Sequence, residues 1–199
     1  MSATVKIIGI CGHPQHGKST AQRFLEPLGV QAVDDSEPLR RLTMERYGLT
    51  WDEVSTQEGK AKLVSRPDND DTVTVRQALG DLGKEYETEH GPNYWMERAI
   101  ASVAPGSLVS FGSVRMGQAH AIRAAGGLTI AIHDPRRPNS THDFDQYDPA
   151  GVDDWIRNDS TLWTFEYRVI EACATYLGVD FREYWKQRQQ DEMAASYIA

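Results

Sequence analysis

Short apolar runs alternate with longer amphipathic segments along most of the chain. Five of them have the length and composition of strands: TVKIIGIC (Thr4 to Cys11), VQAV (Val30 to Val33), SLVSF (Ser107 to Phe111), LTIAIH (Leu128 to His133) and a short strand within DDWIRND (Asp153 to Asp159). Nearly continuous apolar runs are typical of strands that are buried on both faces. Because helical segments separate them, the pattern predicts a parallel sheet with helices on both faces.

The segments between these runs have helical spacing and recognisable ends. Helices are predicted for Ser19 to Leu28, Ser36 to Tyr47, a stretch that opens at Thr50, Thr74 to Gly91, NYWMERAIASVA, MGQAHAIRAA, Ser160 to Gly178 and the tail from Val179. Thr50 and Glu53 form a capping-box signature, and Ser36 and Ser160 are candidate N-caps. Asn158 and Asp159 are interpreted as a turn and cap before the last strong helix.

Two polar segments predict loops. RPDNDDT, from Arg66 to Thr72, is rich in turn residues and predicts a surface loop. DPRRPNSTHDFDQYDPAG, from Asp134 to Gly151, has three prolines and no regular period. A loop this long within a compact domain is usually functional or disordered, and we expect a lid here. No shift in composition marks a boundary, so a single domain over residues 1–199 is predicted.

Composition narrows the functional classes. The formal net charge of -8 disfavours non-specific nucleic-acid binding, which needs clustered Lys and Arg. The two cysteines, Cys11 and Cys173, lie in apolar patterns and are expected to be core residues in a reducing cytoplasm. No signal-peptide pattern and no apolar stretch near the ~20 residues of a spanning helix is present, so we expect a cytoplasmic protein with no membrane partner.

GHPQHGKST, from Gly12 to Thr20, follows the first predicted strand and opens a helix. It fills every fixed position of the Walker A pattern, G-x-x-x-x-G-K-[ST]. In this pattern backbone N–H groups cradle phosphate oxygens, the lysine reaches the β- and γ-phosphates, and the Ser or Thr hydroxyl ligates Mg²⁺. We therefore expect ATP and Mg²⁺ as cofactors. The expected nucleotide-binding residues are Gly12, His13, Gln15, His16, Gly17, Lys18, Ser19 and Thr20.

The two histidines of this loop, His13 and His16, stand at positions that the pattern leaves free. No second cluster of metal ligands lies nearby in the sequence. We expect the histidines to shape the loop or face solvent rather than to bind a metal.

Four further segments, in order after this loop, make the chain similar to the phage-type deoxynucleoside monophosphate kinases, a P-loop kinase family. They are SEPLRRL (Ser36 to Leu42), VRQALGDLG (Val75 to Gly83), SVRMGQAHAIRAAGG (Ser113 to Gly127) and DDWIRNDSTLWTF (Asp153 to Phe165). The resemblance extends from Val5 to about Leu177.

This resemblance implies a P-loop NTPase fold, a three-layer α/β/α sandwich with a mainly parallel sheet of about five strands. It also implies a helical acceptor-binding region at about 36–104, a lid at about 134–151 and a C-terminal helical tail at about 179–199. The implied activity is transfer of the γ-phosphoryl group of ATP to a (deoxy)nucleoside monophosphate. The product would be the diphosphate, in deoxynucleotide metabolism.

Phosphoryl transfer depends on positioning and on cations around the transferring group, which singles out residues at strand ends and in the lid. The candidates are Lys18, Arg136, Arg137 and Asp35 for catalysis, Ser19 and Asp34 for the metal, and Asp34 also for the acceptor. The resemblance further implies an acceptor site that includes Glu37, Arg40, Arg76, Trp95 and Arg115. Each role beyond the phosphate loop has a structural alternative. These are a solvated basic turn for Arg136 and Arg137, surface salt bridges for the other arginines, capping for one of the aspartates, and core packing for Trp95.

The chain departs from the family at three positions. The family has an aspartate before its Val-Arg pair, where this chain has Ser113; Gly80 and Lys84 replace a Gln and a Thr. Because such an aspartate helps to hold Mg²⁺, its loss either passes that role to Asp34 or Asp35 or weakens metal binding.

Two alternatives to the nucleoside monophosphate kinase stay open. One is a P-loop kinase with another acceptor, either dephospho-coenzyme A or a modified base within DNA. The other is a nucleotide-binding module without catalysis, for which Ser113 is the argument. The aromatic residues Phe181, Tyr184 and Trp185 of the tail are expected to be exposed, and together with the resemblance they favour a homodimer.

Overall fold

The computed structural model describes residues 5–68, 71–141 and 145–196. Four parts of the predicted elements lie outside these residues: Thr4 of the first strand, 69–70 of the first loop, 142–144 of the lid and 197–199 of the tail. The described chain forms two compact units, one of residues up to Val33 and from Ala104 onward, and one of Asp34–Val103. The single domain over 1–199 stays a prediction.

A parallel sheet forms the centre of the first unit. Its five strands are β1 (Lys6–Cys11), β2 (Gln31–Val33), β5 (Leu108–Phe111), β6 (Leu128–His133) and β7 (Asp154–Arg157). They lie in the order β2-β5-β1-β6-β7, and every pairing is parallel. The predicted parallel sheet is therefore confirmed. β2 and β5 therefore lie on one side of the central strand β1, and β6 and β7 lie on the other. In sheets of this kind ligands bind beyond the carboxyl ends of the strands, where the strand order changes direction.

Helices cover both faces of this sheet because its strands are apolar on both faces. The helices of this unit are α1 (Lys18–Leu25), α7 (Gln118–Ala124), α8 (Leu162–Leu177) and α9 (Phe181–Ser196). Ile8 and Ile10 share a buried cluster with residues of α1 and α8. Gly9 points to the opposite face, where an added Cβ would lie 2.6 Å from Ile122 Cδ1 of α7. The result is the predicted three-layer α/β/α sandwich.

The second unit is mainly helical. It contains α2 (Glu37–Tyr47), α3 (Trp51–Ser55), α4 (Gln57–Ala61), β3 (Leu63–Ser65), β4 (Thr72–Thr74), α5 (Val75–His90) and α6 (Tyr94–Ala101). The predicted loop from Arg66 to Thr72 is wrong at its end, because Thr72 begins β4 and pairs with Ser65 in an antiparallel hairpin. The backbone N–H of Arg66 donates to Asp71 O at 2.8 Å and closes this hairpin.

Several helix ends follow the predicted chemistry and two do not. The capping box of Thr50 and Glu53 is present. The predicted cap at Ser160 is wrong, since Thr161 Oγ1 accepts the backbone N–H of Thr164 at 3.1 Å. The first helix ends at Leu25 rather than Leu28, and a 3₁₀ turn with a proline at its start follows it.

The aromatic residues of α9 face inward and not towards solvent. Trp185 is buried, with its ring 4.7 Å from that of Trp163 and 5.0 Å from that of Tyr167, measured between centroids. Phe181 and Tyr184 pack against the main core. The expectation of an exposed aromatic tail is therefore wrong, and the homodimer stays a prediction without this support.

Both cysteines are fully buried, as predicted, and burial raises the pKa of each thiol to about 12. Over the residues that the structure describes, no helix has the length and apolar character needed to cross a membrane.

Phe165 connects the core to the phosphate loop, so its loss should destabilise the first unit. Its side chain is 1% exposed and meets Phe24 edge to face, with centroids 5.5 Å apart. Phe165→Ala should lower the free energy of unfolding by ~3–5 kcal/mol, measured by urea denaturation. Phe181→Ala, at a partly exposed ring, is the control and should cost less. Equal losses in the two variants would contradict this account of the packing.

Candidate active site

The phosphate loop leaves β1 at the carboxyl edge of the sheet, and its backbone requires glycine at two positions. Gly12 and Gly17 have positive φ angles of 138° and 108°. A Cβ would lie 2.5 Å from Ile132 O at Gly12 and 2.7 Å from Asn158 Nδ2 at Gly17. Gln15 also has a positive φ, 65°, at the exposed tip of the loop. The fixed glycines of the motif are therefore required by both conformation and space.

Lys18 is the first residue of α1, followed by Ser19 and Thr20 in the same turn. Its Nζ donates to Gly12 O at 2.7 Å and to His13 O at 2.8 Å, so the ammonium lies over the loop. Burial, followed by the positive charge of Arg115, lowers the pKa of Lys18. A phosphate bound in the loop would offer this ammonium a charged partner in place of two carbonyl groups.

His16 ties the loop to the neighbouring strands. Its ring is fully buried, and Nδ1 accepts the backbone N–H of Asp134, just past β6, at 3.4 Å. Asn158, just past β7, donates from Nδ2 to His16 O at 3.1 Å. This corrects the interpretation of Asn158 as a turn residue only: its side chain positions the phosphate loop. The expectation that the histidine shapes the loop agrees with these contacts.

A cavity of about 270 Å³ lies beside the lysine. It is lined by Gly12, Pro14, Lys18, Ser19, Gly112, Ser113, Val114, Arg115 and Asp145. The structure thus brings four predicted site residues, Gly12, Lys18, Ser19 and Arg115, to one place. It also adds Asp145, which sequence reasoning missed because nothing distinguishes it from the neighbouring acids in DFDQYD.

The oxygen donors of this cavity fit Mg²⁺. Ser19 and Asp145 both line it and provide a hydroxyl and a carboxylate. Mg²⁺ is usually bound by one or two carboxylates together with substrate phosphate oxygens, rather than by protein ligands alone. In keeping with this, no group of three or more His, Cys, Asp or Glu side chains is placed to hold a metal anywhere in 5–68, 71–141 and 145–196.

A second cavity of the first unit, of about 320 Å³, is lined by His13, His133, Asn139, Tyr147, Trp155, Ile156 and Arg157. The His13 ring lies 5.4 Å from that of His16 and 5.7 Å from that of Tyr147, between centroids. His13 Nδ1 is buried without a hydrogen-bond partner among the described residues. Burial, and then the charges of His16 and Lys18, lower the pKa of His13, so this imidazole is neutral near pH 7.

The two predicted lid arginines lie at the start of their segment, just past β6. Arg136 Nε is 2.8 Å from Asp134 Oδ1, and Nη2 donates to Asn158 O at 2.7 Å. The hydrogen bonds from Arg136 hold the pKa of Asp134 at about 2. The backbone N–H of Arg137 donates to Asp134 O at 3.1 Å. Neither arginine lines the cavity beside Lys18, and their catalytic roles stay predictions.

Within the second unit, Glu37 and Trp95 line one cavity of about 610 Å³, together with Pro38, Arg41, Leu42, Glu45, Tyr86, Tyr94, Arg98, Ala101 and Ser102. Trp95 is 6% exposed, and its Nε1 donates to Gly83 O at 3.1 Å. The indole is therefore held in the core and forms one wall of the cavity. Its role in binding an acceptor stays a prediction.

The other acceptor candidates lie around α2, α4 and the start of α5. Arg40 forms an ion pair with Asp34, whose carboxylate also accepts the Ser36 backbone N–H at 2.9 Å. Arg76 donates to the side chain of Gln57, on α4. Asp35 accepts the Ser36 hydroxyl at 3.5 Å.

Lys60 joins this second-unit set and was missed by sequence reasoning. Burial, and then the positive charges of Arg40 and Arg76, lower the pKa of Lys60. Two arginines therefore act electrostatically on Lys60 in the second unit. The sequence signal was weak, because a single lysine on a five-residue helix resembles any surface lysine.

No protein-family model and no curated protein matches this chain. Its fold is similar to those of several solved kinases. A gluconokinase from Sinorhizobium meliloti 1021 is 13% identical over 93% of this chain and 97% of its own, with a TM-score of 0.42. A shikimate kinase from Aquifex aeolicus is 12% identical over 83% and 95%, with a TM-score of 0.40. A dephospho-CoA kinase from Campylobacter jejuni is 12% identical over 85% and 96%, with a TM-score of 0.38. At these identities and scores we argue function from the residues of the chain alone.

The buried, neutral His13 should make stability depend on pH. The unfolded chain takes up a proton at about pH 6.5, which the folded loop resists, so the free energy of unfolding should fall as pH drops through that value. His13→Gln should flatten this fall, measured by denaturation between pH 5 and 8. An unaltered slope in the His13 variant would contradict the assignment.

Proposed function

We propose that this chain transfers the γ-phosphoryl group of ATP, with Mg²⁺, to a (deoxy)nucleoside monophosphate and releases the diphosphate. The observation that carries the proposal is the cavity in which a complete Walker A loop, Lys18 and Arg115 meet. Phosphoryl transfer builds negative charge on the transferring group, and fixed cations around that group lower the barrier. Lys18 and Arg115 are two such cations, and both line this cavity.

Each residue of this site has a defined task in the proposal. The loop N–H groups and the start of α1 bind the phosphates, Lys18 reaches the β- and γ-phosphates, and Arg115 faces the group in transfer. Ser19 would help to hold Mg²⁺, which would neutralise phosphate charge during transfer. The ties of His16 to Asp134 and Asn158 keep the loop in place, so little reorganisation is needed when the nucleotide binds.

The second unit supports an acceptor that itself carries a phosphate. The positive charges of Arg40 and Arg76 both oppose the charge of Lys60, and an anion bound near Lys60 would relieve this repulsion. Arginine suits a phosphate because its planar fork donates two parallel hydrogen bonds. The aromatic cavity lined by Tyr86 and Tyr94 has the size of a small-molecule site and walls that suit a planar base.

A kinase for a different phosphorylated acceptor is the second candidate, because the same cations would suit any acceptor that carries phosphate groups, including the pyrophosphate of dephospho-coenzyme A. A modified base in DNA is disfavoured by the net charge of -8. A panel of acceptors with MgATP, followed by product analysis, decides between them. Turnover of another acceptor with none for any dNMP would overturn the first proposal. ATP binding without any transfer would favour a non-catalytic module.

Lys18→Ala should abolish most of the transfer. Removal of one fixed donor to a developing charge typically costs about 10²–10³-fold in kcat, and this lysine contacts the phosphates at two positions. A coupled assay of ADP formation with the best acceptor measures the loss. Lys186→Ala, at an exposed position of α9, is the control. Retained activity in the Lys18 variant would refute the site.

Arg76→Ala should raise KM for the acceptor more than KM for ATP. Loss of a hydrogen bond to a charged group costs about 1.5–3 kcal/mol, which corresponds to about 10–100-fold in KM. Arg46→Ala is the matched control in the same unit, since Arg46 is paired with Asp68 and Glu85. An effect on ATP alone would remove Arg76 from the acceptor site.

A further inference from the structure

The cavity beside the phosphate loop contains a carboxylate that the Walker A motif does not supply. Of its described lining residues, Asp145 is the one acid. Ser113 lines the same cavity, at the position where the resembling family has an aspartate. The cavity therefore has the Ser113 hydroxyl where the resemblance predicts an acid. Its acid is Asp145, which comes from a later part of the chain.

Backbone pairing holds the Asp145 segment against the chain that follows β5. The N–H of Met116 donates to Gln146 O at 2.7 Å, and the N–H of Asp148 donates to Met116 O at 3.0 Å. Met116 and Tyr147 thus form a parallel bridge. Met116 is three residues from Ser113, and Tyr147 is two residues from Asp145. The bridge therefore holds these two segments together, and both Ser113 and Asp145 line the cavity.

The Asp145 side chain is also oriented. Ser140 Oγ donates to Asp145 Oδ2 at 2.7 Å, and Oδ1 is not used by this bond. The charge of Asp145 acts on both Lys18 and His13, which places it within electrostatic reach of the phosphate loop. A carboxylate near the loop but without a metal would repel the nucleotide phosphates. The Asp145 carboxylate is favourable near the loop when a cation lies between it and the phosphates.

The carboxylates named from the sequence are engaged elsewhere in the second unit. Asp34 is paired with Arg40 and accepts the backbone N–H of Ser36. Asp35 accepts the Ser36 hydroxyl. Both thus contact the turn before α2, and Asp34 also forms the ion pair beside it.

We propose that Asp145 supplies the carboxylate of the magnesium site, with the Ser19 hydroxyl, and replaces the acid that Ser113 lacks. The inference rests on the proposed function in so far as both require a nucleotide at the phosphate loop. It identifies a metal-positioning role for a residue at the end of the lid segment. Ser140 then orients the carboxylate.

Calorimetric titration with a non-hydrolysable ATP analogue, with Mg²⁺ and with EDTA, tests this role independently of catalysis. In Asp145→Asn the gain in nucleotide affinity that Mg²⁺ confers should fall by about 10-fold or more. The affinity in EDTA should not fall, because the substitution removes a negative charge near the phosphates. Asp191→Asn is the control, since Asp191 is an exposed aspartate of α9 that does not line the cavity, and it should behave as the wild type.

A second variant restores the carboxylate at another position of the cavity. Ser113→Asp in the Asp145→Asn background should recover most of the Mg²⁺-dependent gain, because both positions line the same cavity. Titration of Mn²⁺ by electron paramagnetic resonance gives a direct count of bound metal in each variant.

Each other outcome has a definite meaning. An unchanged Mg²⁺-dependent gain in Asp145→Asn would overturn the inference, and equal losses of affinity with Mg²⁺ and with EDTA would do the same, since they indicate a structural role. Wild-type protein that binds the nucleotide with Mg²⁺ but transfers nothing would overturn the proposed function and leave this inference standing. Wild-type protein that binds no nucleotide would overturn both.

Discussion

The attachment of the phosphate loop to the ends of β6 and β7 is the constraint on which the rest of the first unit depends. The loop cannot carry side chains at Gly12 or Gly17, because a strand carbonyl and the Asn158 amide already fill that space. Hydrogen bonds from Asp134 and Asn158 to His16 complete the attachment. A parallel sheet provides this site because all of its strands end at the same edge, where backbone groups are available to a loop.

This attachment explains why two bulky histidines are compatible with a loop that usually contains small residues. His16 is buried within the sheet edge and accepts a backbone N–H, as a structural side chain does. His13 is buried beside it and stays neutral, because a second positive charge would lie close to Lys18. The loop therefore concentrates its formal charge on Lys18, at the position where phosphate is expected.

Much of the fold could be predicted from the sequence because it depends on local patterns. The apolar runs correspond to the five strands, and Thr50 with Glu53 forms its capping box. The hairpin at Thr72 was missed because three-residue strands have no measurable period. Ser160 and Thr161 are equivalent cap residues in sequence, and only the backbone angle selects the second.

The candidate site was predictable where a motif fixes it and unpredictable where distant segments meet. Lys18 and Ser19 follow from spacing alone. Asp145 does not, since it lies more than a hundred residues away and its place depends on the bridge between Met116 and Tyr147. The role of Asn158 was unpredictable for the same reason. Its position after a strand suggested a cap, whereas its hydrogen bond to His16 O depends on the strand order.

The surroundings of Lys60 in the second unit oppose its positive charge. Lys60 is partly buried, and burial and two neighbouring arginines all disfavour its charge. One of these neighbours, Arg40, is compensated by Asp34, while Arg76 contacts the neutral side chain of Gln57. An arrangement of like charges costs free energy in the folded protein unless an anion binds there. A bound anion such as phosphate would offset this cost, because arginine and lysine both bind phosphate groups. This is the reason for proposing a phosphorylated acceptor rather than a neutral one such as a sugar.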